Sequence, residues 1–515
     1  MDTAKALLQG RASFVTDAGR DALRATVLRS PLAHAEIRRF DRHVAERMPG
    51  VRLILKGGDL AHLDLLQSPV LLPGFEASIR AAGRSALAIG RVRHVGDPVA
   101  LIVADTEDQA LDAAAAIDVD YMPLAPLVGV EQALAEEAFE LHECVPGNVA
   151  FRASMGGAAA VVDGFARAER RVALRIRHNR VAAMPIEPRA ARCVYDPKRD
   201  CYLFDLPTQG PAMMAAALAA ALKVDPSRVV VRTPHVGGSF GTKAYPYPEY
   251  LALAQAARLL GQPVFWCATR NESFQSDTQG RHALTEAEAA LDDSGCIIAL
   301  RIAHHVDLGA YVSFMAPHTA THGLISAATG LYDIPLVHVT TAGVLTTSPW
   351  TDAYRGAGKP EAVLVIEQLM DAIANETGQH PVTLRRRHLV GPERLPFRTA
   401  SGETFDSGDF PARLDEACTR ADVAGYRARC DAAGARGRVR GIGVCCWLDV
   451  TSNGPIETAT LRLGPDGLSL TTGSQDTGQN HHAGFAAVIR RATTLDTDLE
   501  LTAVTSNALP GGGGT

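Results

Sequence analysis

A mixed α/β (α+β) chain folded into several domains is what the sequence predicts, on three observations. Strand-like and helix-like segments alternate from Gly10 to about Leu127. A β-branched run from Val229 to Thr233 passes through a glycine-rich corner into an apolar-periodic helix from about Tyr247 to Leu260, which Gly261 ends. The 515 residues, 47% apolar and 21% charged, are enough for roughly three globular domains with a substantial core.

The elements follow in order. Ala25 to Leu28 reads as extended, Asp41 to Met48 as a helix stopped by Pro49-Gly50, and Val51 to Leu55 as a strand. Pro98 to Ala104 is strand-like. Thr106 and Gln109 have the spacing of a capping box opening an Ala-rich helix to Ile117, and Val119 to Leu124 then completes a β-α-β unit. These make a first domain over 1–128. An acidic connector with Glu131, Glu136, Glu137, Glu140 and Glu143 marks a linker over 129–148. The largest domain, 149–390, is rich in short strands punctuated by Gly and Pro. In it Tyr202 to Leu206 reads as a strand, followed by a helix starting near Pro211. GPERLPFR then opens a third region, 391–515, with a helix over Pro411 to Ala433 and strands at Gly441 to Leu448, Ile456 to Leu463 and Leu468 to Thr472. No tandem repeat of fixed period is present.

Composition excludes several functions. A net charge of -6 over this length leaves no basic face for nucleic acid. The N-terminus lacks a signal-type apolar stretch. The longest uncharged apolar run, Pro211 to Leu222, falls short of the ~20 residues of a bilayer span, so a cytoplasmic protein without a membrane span is expected. The nine cysteines include no CxxC pair, which argues against a disulfide framework or a zinc or iron–sulfur ligand set. If the chain does redox chemistry, electrons must leave through a centre on another polypeptide.

The corner itself can do chemistry. Gly237, Gly238 and Gly241 leave the main chain with little side-chain cover, so N–H groups can approach an anion near a helix start; the same pattern also serves ordinary α/β corners. The spacing is not GxGxxG. A glutamine at Gln209 ordinarily caps backbone groups in its turn, Phe240 ordinarily anchors a core, and an arginine in a loop, as at Arg355, is ordinarily solvated. His318 and His322 in HTATH have helical i,i+4 spacing but lack the glutamate of HExxH, so zinc is not expected there. His34 and His94 are assigned no chemistry.

GGSFGTK, Gly237 to Lys243, resembles the GGxFGxK segment in the large molybdopterin-binding subunit of the molybdenum hydroxylases, the xanthine dehydrogenase and aldehyde oxidase family. RSPLAHAEI from Arg29, VGDPVALIVADT from Val95, VDYMPL from Val119, IEPRA from Ile186, AYRGAGKPEA from Ala353, SGETFDSGDF from Ser401 and DTGQN from Asp476 resemble the same family in the same order, so nearly the whole chain is covered. The resemblance implies an N-terminal α/β hammerhead domain followed by molybdopterin-binding domains, the second of them incomplete. It implies molybdenum held by molybdopterin in its cytosine dinucleotide form, with 2Fe-2S clusters and FAD on partner subunits. Gln209 is then the glutamine that hydrogen-bonds an oxygen ligand of the metal, a task suited to a neutral amide that donates without adding charge. The backbone at Gly238, Phe240 and Gly241 meets the pterin region. Arg355, Gly356 and Ala357 form the second cofactor segment, and Gln479 with the terminal run Gly512 to Thr515, including Gly514 and Thr515, supplies further amides.

Departures from the family pattern bear on substrate. Xanthine oxidisers carry a purine-gripping glutamate where this chain has Ala244, and a ring-stacking phenylalanine where it has Ala357. Carbon monoxide dehydrogenases carry a copper-holding cysteine where it has Gly356. An aldehyde or an aromatic N-heterocycle remains as the expected small-molecule substrate, hydroxylated with water as oxygen source. That reaction needs a general-base glutamate, which the family carries in a C-terminal portion beyond the point where this sequence stops; Glu187 is the one acid in a family segment that could replace it. The chain is therefore expected to be truncated, split or completed by a second polypeptide, and the alternative to an enzyme component is a non-catalytic remnant or partner-docking module. An α/β nucleotide-binding protein without molybdenum would have to match all these segments by chance.

Overall fold

The computed structural model describes residues 3–68, 80, 82–449, 458–465, 467–493, 499–501 and 505–506. Two large sheets organise them. The first has seven strands in the order Val229–Arg232, Cys201–Asp205, Ala190–Asp196, Val264–Cys267, Leu23–Arg29, Pro98–Ala104, Val51–Lys56. Leu23–Arg29 pairs parallel with Val264–Cys267 and antiparallel with Pro98–Ala104, so strands from both sides of the connector at 129–148 share one sheet. Every residue of PVALIVA is buried, the mark of a strand covered on both faces. Helix Pro248–Leu260 lies over this sheet with all ten residues from Pro248 to Ala257 buried, and Gly261, at φ 62°, ends it in the left-handed cap that glycine favours.

The second sheet has five strands: Val149–Gly156, Val337–Leu345, Ile297–Gly309, Gln279–Leu291 and Arg170–Ala182. The last three run 13 residues each, where short strands are expected from the sequence. Helix Lys359–Thr377 buries Val365, Ile366, Leu369, Met370 and Ile373 in the core cluster that also holds this sheet's apolar residues. Among the described residues, no helix is long and apolar enough to cross a membrane.

Several local expectations are met closely. Thr106 caps helix Glu107–Ala115 through Gln109 as a capping box, and the strands at Val51, Pro98 and Cys201 lie where the sequence reads as strand. Others are corrected. Asp41 to Met48 is not a helix: Asp41 ends the strand Ala35–Asp41, its carboxylate accepts from the His43 N–H in a local turn, and only Ala45–Arg47 makes a 3-10 turn. Few residues separate the strand from Pro49, too few to repay helix nucleation. The proposed β-α-β unit is divided, because Asp118–Pro123 pairs antiparallel with Ala35–Asp41 in a separate sheet while Pro98–Ala104 belongs to the seven-stranded one. Pro411 to Ala433 makes two helices, Phe410–Arg420 and Tyr426–Gly434, with Asp422 between them in the left-handed region at φ 48°. Gly441 to Leu448 has the expected alternation, with Val444 and Cys446 packed on the core cluster, but it pairs with no strand among the described residues.

Candidate functional site

Strand direction brings the site together. Cys201–Asp205 and Val229–Arg232 are parallel neighbours, so Gln209 and the Gly237–Gly241 corner emerge side by side at the same edge. Ala190–Asp196 runs antiparallel to Cys201–Asp205, which delivers Glu187 to that edge from the opposite direction. A crevice outside the carboxyl ends of strands is where open α/β sheets bind ligands.

The first turn is pinned from below. Glu187 Oε2 accepts from the Gly237 N–H at 2.8 Å and from Lys243 Nζ at 2.9 Å, and the pair is buried. Burial pushes the Lys243 ammonium below its ordinary range, with Glu187 acting against that shift. Glu187 Oε1 is buried and has no hydrogen-bond partner among the described residues. The backbone then enters the left-handed region at Gly238 (φ 92°), Phe240 (φ 57°) and Gly241 (φ 105°), a shape that turns N–H groups into a concavity suited to anions. Gln209 Oε1 accepts from Ser239 Oγ at 2.5 Å and from the Gly241 N–H at 2.9 Å. With its oxygen so engaged, the amide's remaining polar atom is a donor.

The second turn abuts the first. The Arg355 N–H donates to Phe240 O at 3.0 Å, and a Cβ on Gly241 would lie 2.1 Å from Ala353 O. The buried Asp352 carboxylate accepts from Ser313 Oγ at 2.5 Å and from the Ala353 N–H at 2.6 Å, and burial raises its pKa. Gly356 (φ 98°), Ala357 (φ 43°) and Gly358 (φ 92°) continue in the left-handed region up to the start of helix Lys359–Thr377. The Arg355 side chain is exposed, Ala357 is half-buried, and Ala244, following Lys243, is buried. Beneath the turn lies a cavity of about 20 Å³, lined by Arg281, His304, Thr319, Asp352, Gly358 and Glu361. That is room for one water.

The third turn reaches the first through its leading residue. The Gln475 N–H donates to Gln209 O at 3.3 Å, and its side-chain amide donates to Pro234 O at 3.2 Å. Gln479 accepts from the Thr477 N–H at 2.7 Å within its own turn, just before helix His481–Thr493. Gly514 and Thr515 lie outside the described residues, as does the rest of the terminal glycine run.

Other predicted residues take structural parts. Glu187 is committed to Lys243 and Gly237, which leaves it poorly placed to serve as a base. Arg29 and Arg189, both in family-like segments, converge on the buried Glu249 carboxylate at 2.6 and 3.3 Å, and Arg189 stacks 3.7 Å above the Tyr247 ring. His318 precedes a π-helical turn, Thr319–Gly323, that contains His322, their ring centroids are 5.4 Å apart, and the described residues hold no group of three or more potential metal ligands. That turn packs main chain to main chain on the second loop: a Cβ on Gly323 would come within 2.0 Å of Ala357 O. Arg281, Asp352 and Glu361 were not singled out by sequence. For Arg281 the one local signal is Gly280, where a Cβ would lie 2.5 Å from the Tyr354 side chain, whereas Glu361 falls within the family-like AYRGAGKPEA segment.

Residues 141–389 match the molybdopterin cofactor-binding domain family, and residues 9–125 match the aldehyde oxidase and xanthine dehydrogenase a/b hammerhead domain family. The chain is 30% identical over 507 residues to the nicotine 6-hydroxylase large subunit of Paenarthrobacter nicotinovorans, covering 94% of this chain and 60% of that protein. It is 28% identical over 512 residues to the carbon monoxide dehydrogenase large chain of Hydrogenophaga pseudoflava, covering 94% and 63%. The crystal structure of quinoline 2-oxidoreductase from Pseudomonas putida 86 superposes with a TM-score of 0.91 at 30% identity, covering 99% of this chain and 66% of that one. The chain thus spans less than two thirds of the length of these relatives.

Proposed function

The chain belongs to the molybdenum hydroxylase family of xanthine dehydrogenases and aldehyde oxidases, and from that premise we propose that it is the molybdopterin-binding component of a cytoplasmic oxidoreductase that hydroxylates an aldehyde or an aromatic N-heterocycle. The observation that carries the reading is the meeting of three turns around Gln209: Gly241 on its side-chain oxygen, Gln475 on its main-chain oxygen, and Arg355 on the neighbouring Phe240. The residues fit the group. Left-handed main chain at Gly238, Phe240 and Gly241 offers N–H donors, the Gln209 side-chain oxygen accepts from Ser239 and Gly241 so that its amide nitrogen can act only as a donor, and Arg355 adds an exposed positive charge suited to phosphates.

When bound, the molybdenum cofactor, in its cytosine dinucleotide form, supplies the two-electron oxidation of the substrate carbon with water as oxygen source. In this reading Gln209 donates to an oxygen ligand of the metal, the amides near Gly238 and Gly356 receive the anionic edges of the cofactor, and Gln479, Gly514 and Thr515 extend the set. Ala244 and Ala357 give the substrate pocket small apolar walls in place of a carboxylate and an aromatic ring. Electrons leave for 2Fe-2S and FAD partner subunits. Glu187 is not assigned as the general base, because Lys243 and Gly237 hold its carboxylate. The names of the relatives that act on nicotine and quinoline favour the heterocycle.

Metal and nucleotide analysis tests this. The chain, purified alone and with its neighbouring subunits from cofactor-replete cells, is expected to carry molybdenum in near-stoichiometric amount and to release a cytidine nucleotide on acid treatment. A folded, metal-free chain in both preparations overturns the reading and leaves the non-catalytic, partner-docking form. Gln209→Ala is expected to keep the fold and to lower turnover of the completed enzyme by about a hundred- to a thousandfold, in line with loss of one donor at a reacting centre; unchanged turnover removes Gln209 from the site.

A further inference from the structure

We propose that Arg281 is a positioning residue that fixes the peptide orientations of the Tyr354–Gly358 turn, and so prepares that turn to receive an anionic group; the proposal rests on the cofactor reading above. Arg281 and His282 both sit in the left-handed region, at φ 64° and 49°, near the start of the long strand Gln279–Leu291. Two consecutive non-glycine residues there are costly and persist only when their surroundings hold them. What holds Arg281 is the second turn. Its guanidinium donates to Arg355 O at 2.7 Å and to Tyr354 O at 3.3 Å, lies 3.4 Å from a Glu361 oxygen, and sits 4.8 Å over the Tyr354 ring.

The consequence follows from peptide planarity. In a trans peptide the C=O and the next N–H point in opposite directions. By drawing Tyr354 O toward itself, Arg281 turns the Arg355 N–H away, and that N–H is the one that donates to Phe240 O and joins the two turns. By drawing Arg355 O the same way, it turns the Gly356 N–H away from the guanidinium. Arg281 therefore supports both the joint between the turns, where the Ala357 N–H also holds Tyr354 O at 2.7 Å, and the direction of an amide in the proposed cradle. A planar fork can hold two successive carbonyls; an ammonium acts as a point charge.

The test uses the full chain with Arg281→Lys, Arg281→Ala and, as a control that leaves both carbonyl contacts in place, Glu361→Gln. Amide hydrogen exchange on the cofactor-free chain reads the turn itself. Molybdenum and pterin content after cofactor-replete expression with partner subunits reads its consequence. Arg281→Lys is expected to speed exchange over residues 353–358 about tenfold, with the rest of the chain unchanged, and to lower molybdenum content severalfold; Glu361→Gln is expected to do neither. Unchanged exchange and unchanged molybdenum in Arg281→Lys overturns the proposal, as does a loss of protection spread evenly over the chain. If Arg281→Ala does not fold, the lysine variant decides. A wild-type chain without molybdenum refutes the cofactor reading, and the exchange data still decide whether Arg281 sets the turn.

Discussion

The two turns joined by the Arg355–Phe240 hydrogen bond are supported from below in different ways. The Gly237–Gly241 turn rests on one buried ion pair, Glu187 with Lys243, both taken almost wholly out of water. The Tyr354–Gly358 turn rests on a guanidinium that binds its carbonyls directly, with the nearest carboxylate of Glu361 no closer than 3.4 Å and a water-sized cavity beneath. The first support is electrostatic and unforgiving: remove one charge and the other is stranded in a medium that cannot solvate it. The second is geometric. Its hydrogen bonds fix orientation, and a water can replace part of what is lost. Equal functional parts are therefore expected to fail unequally.

The largest expected effect is at Lys243. Lys243→Met leaves the Glu187 carboxylate buried without its partner and should cost about 3–5 kcal/mol of unfolding free energy, measured by denaturant titration of the cofactor-free chain. Burial depresses the lysine pKa even though Glu187 acts against it, so the ammonium gains less from its partner than it loses by leaving water. Adding Glu187→Gln to Lys243→Met should then recover a large part of the loss while keeping an acceptor for the Gly237 N–H. A double variant as unstable as the lysine variant alone would contradict the view of this support as an ion pair.

Next in size is a pair of glycines within the first turn. A Cβ on Gly241 meets the main-chain Ala353 O at 2.1 Å with φ at 105°, so Gly241→Ala must push the two turns apart. On Gly238 the nearest atom, at 3.1 Å, belongs to the Phe240 ring, which can move. Gly241→Ala should cost about 3 kcal/mol or more, strain plus overpacking, and Gly238→Ala about 1–2 kcal/mol, strain alone. Equal thermal shifts for the two would mean that the turns are not in mutual contact.

How far the sequence foretold this differs between the turns in the same sense. The first was legible because its constraints are local: a β-branched strand, three glycines within five residues and a proline-opened helix lie in one stretch, and each leaves a residue-type signal. Gln209 was legible only through the family resemblance, since its place after a strand reads equally as a backbone cap. The support of the second turn was not. Arg281 lies more than seventy residues before the carbonyls it binds, in a segment that reads as ordinary strand, and no periodicity announces a left-handed arginine. The same holds for the sheets. Pro98–Ala104 announces itself as a buried strand, but its partnership with Leu23–Arg29, and through that with Val264–Cys267, is a long-range pairing that side-chain alternation cannot encode. Asp41 to Met48 failed for the converse reason, since a strand and an Asx-type turn claimed its first residue.

The smallest expected effect, and the one whose sign separates the two supports, is at Glu361. Burial raises the Glu361 carboxyl above its ordinary range, with Arg281 acting against the shift. A carboxyl with a raised folded-state pKa binds its proton more tightly folded than unfolded. Its contribution to stability is therefore fully present below the ordinary carboxylate pKa and is lost as pH rises through the raised value. Glu361→Gln mimics the protonated form at every pH. Relative to wild type it should be neutral or slightly destabilised at acid pH and should gain as pH rises past the carboxylate range, ending within about 1 kcal/mol of wild type at neutral pH, as expected where a weak ion pair roughly offsets desolvation. Lys243→Met should fall well below wild type at neutral pH, because it leaves the Glu187 carboxyl buried without its partner. Parallel unfolding curves between pH 4 and pH 8 for the two variants, both falling below wild type, would mean that Glu361 supports the second turn as Lys243 supports the first, and the contrast between an electrostatic and a geometric support would be gone.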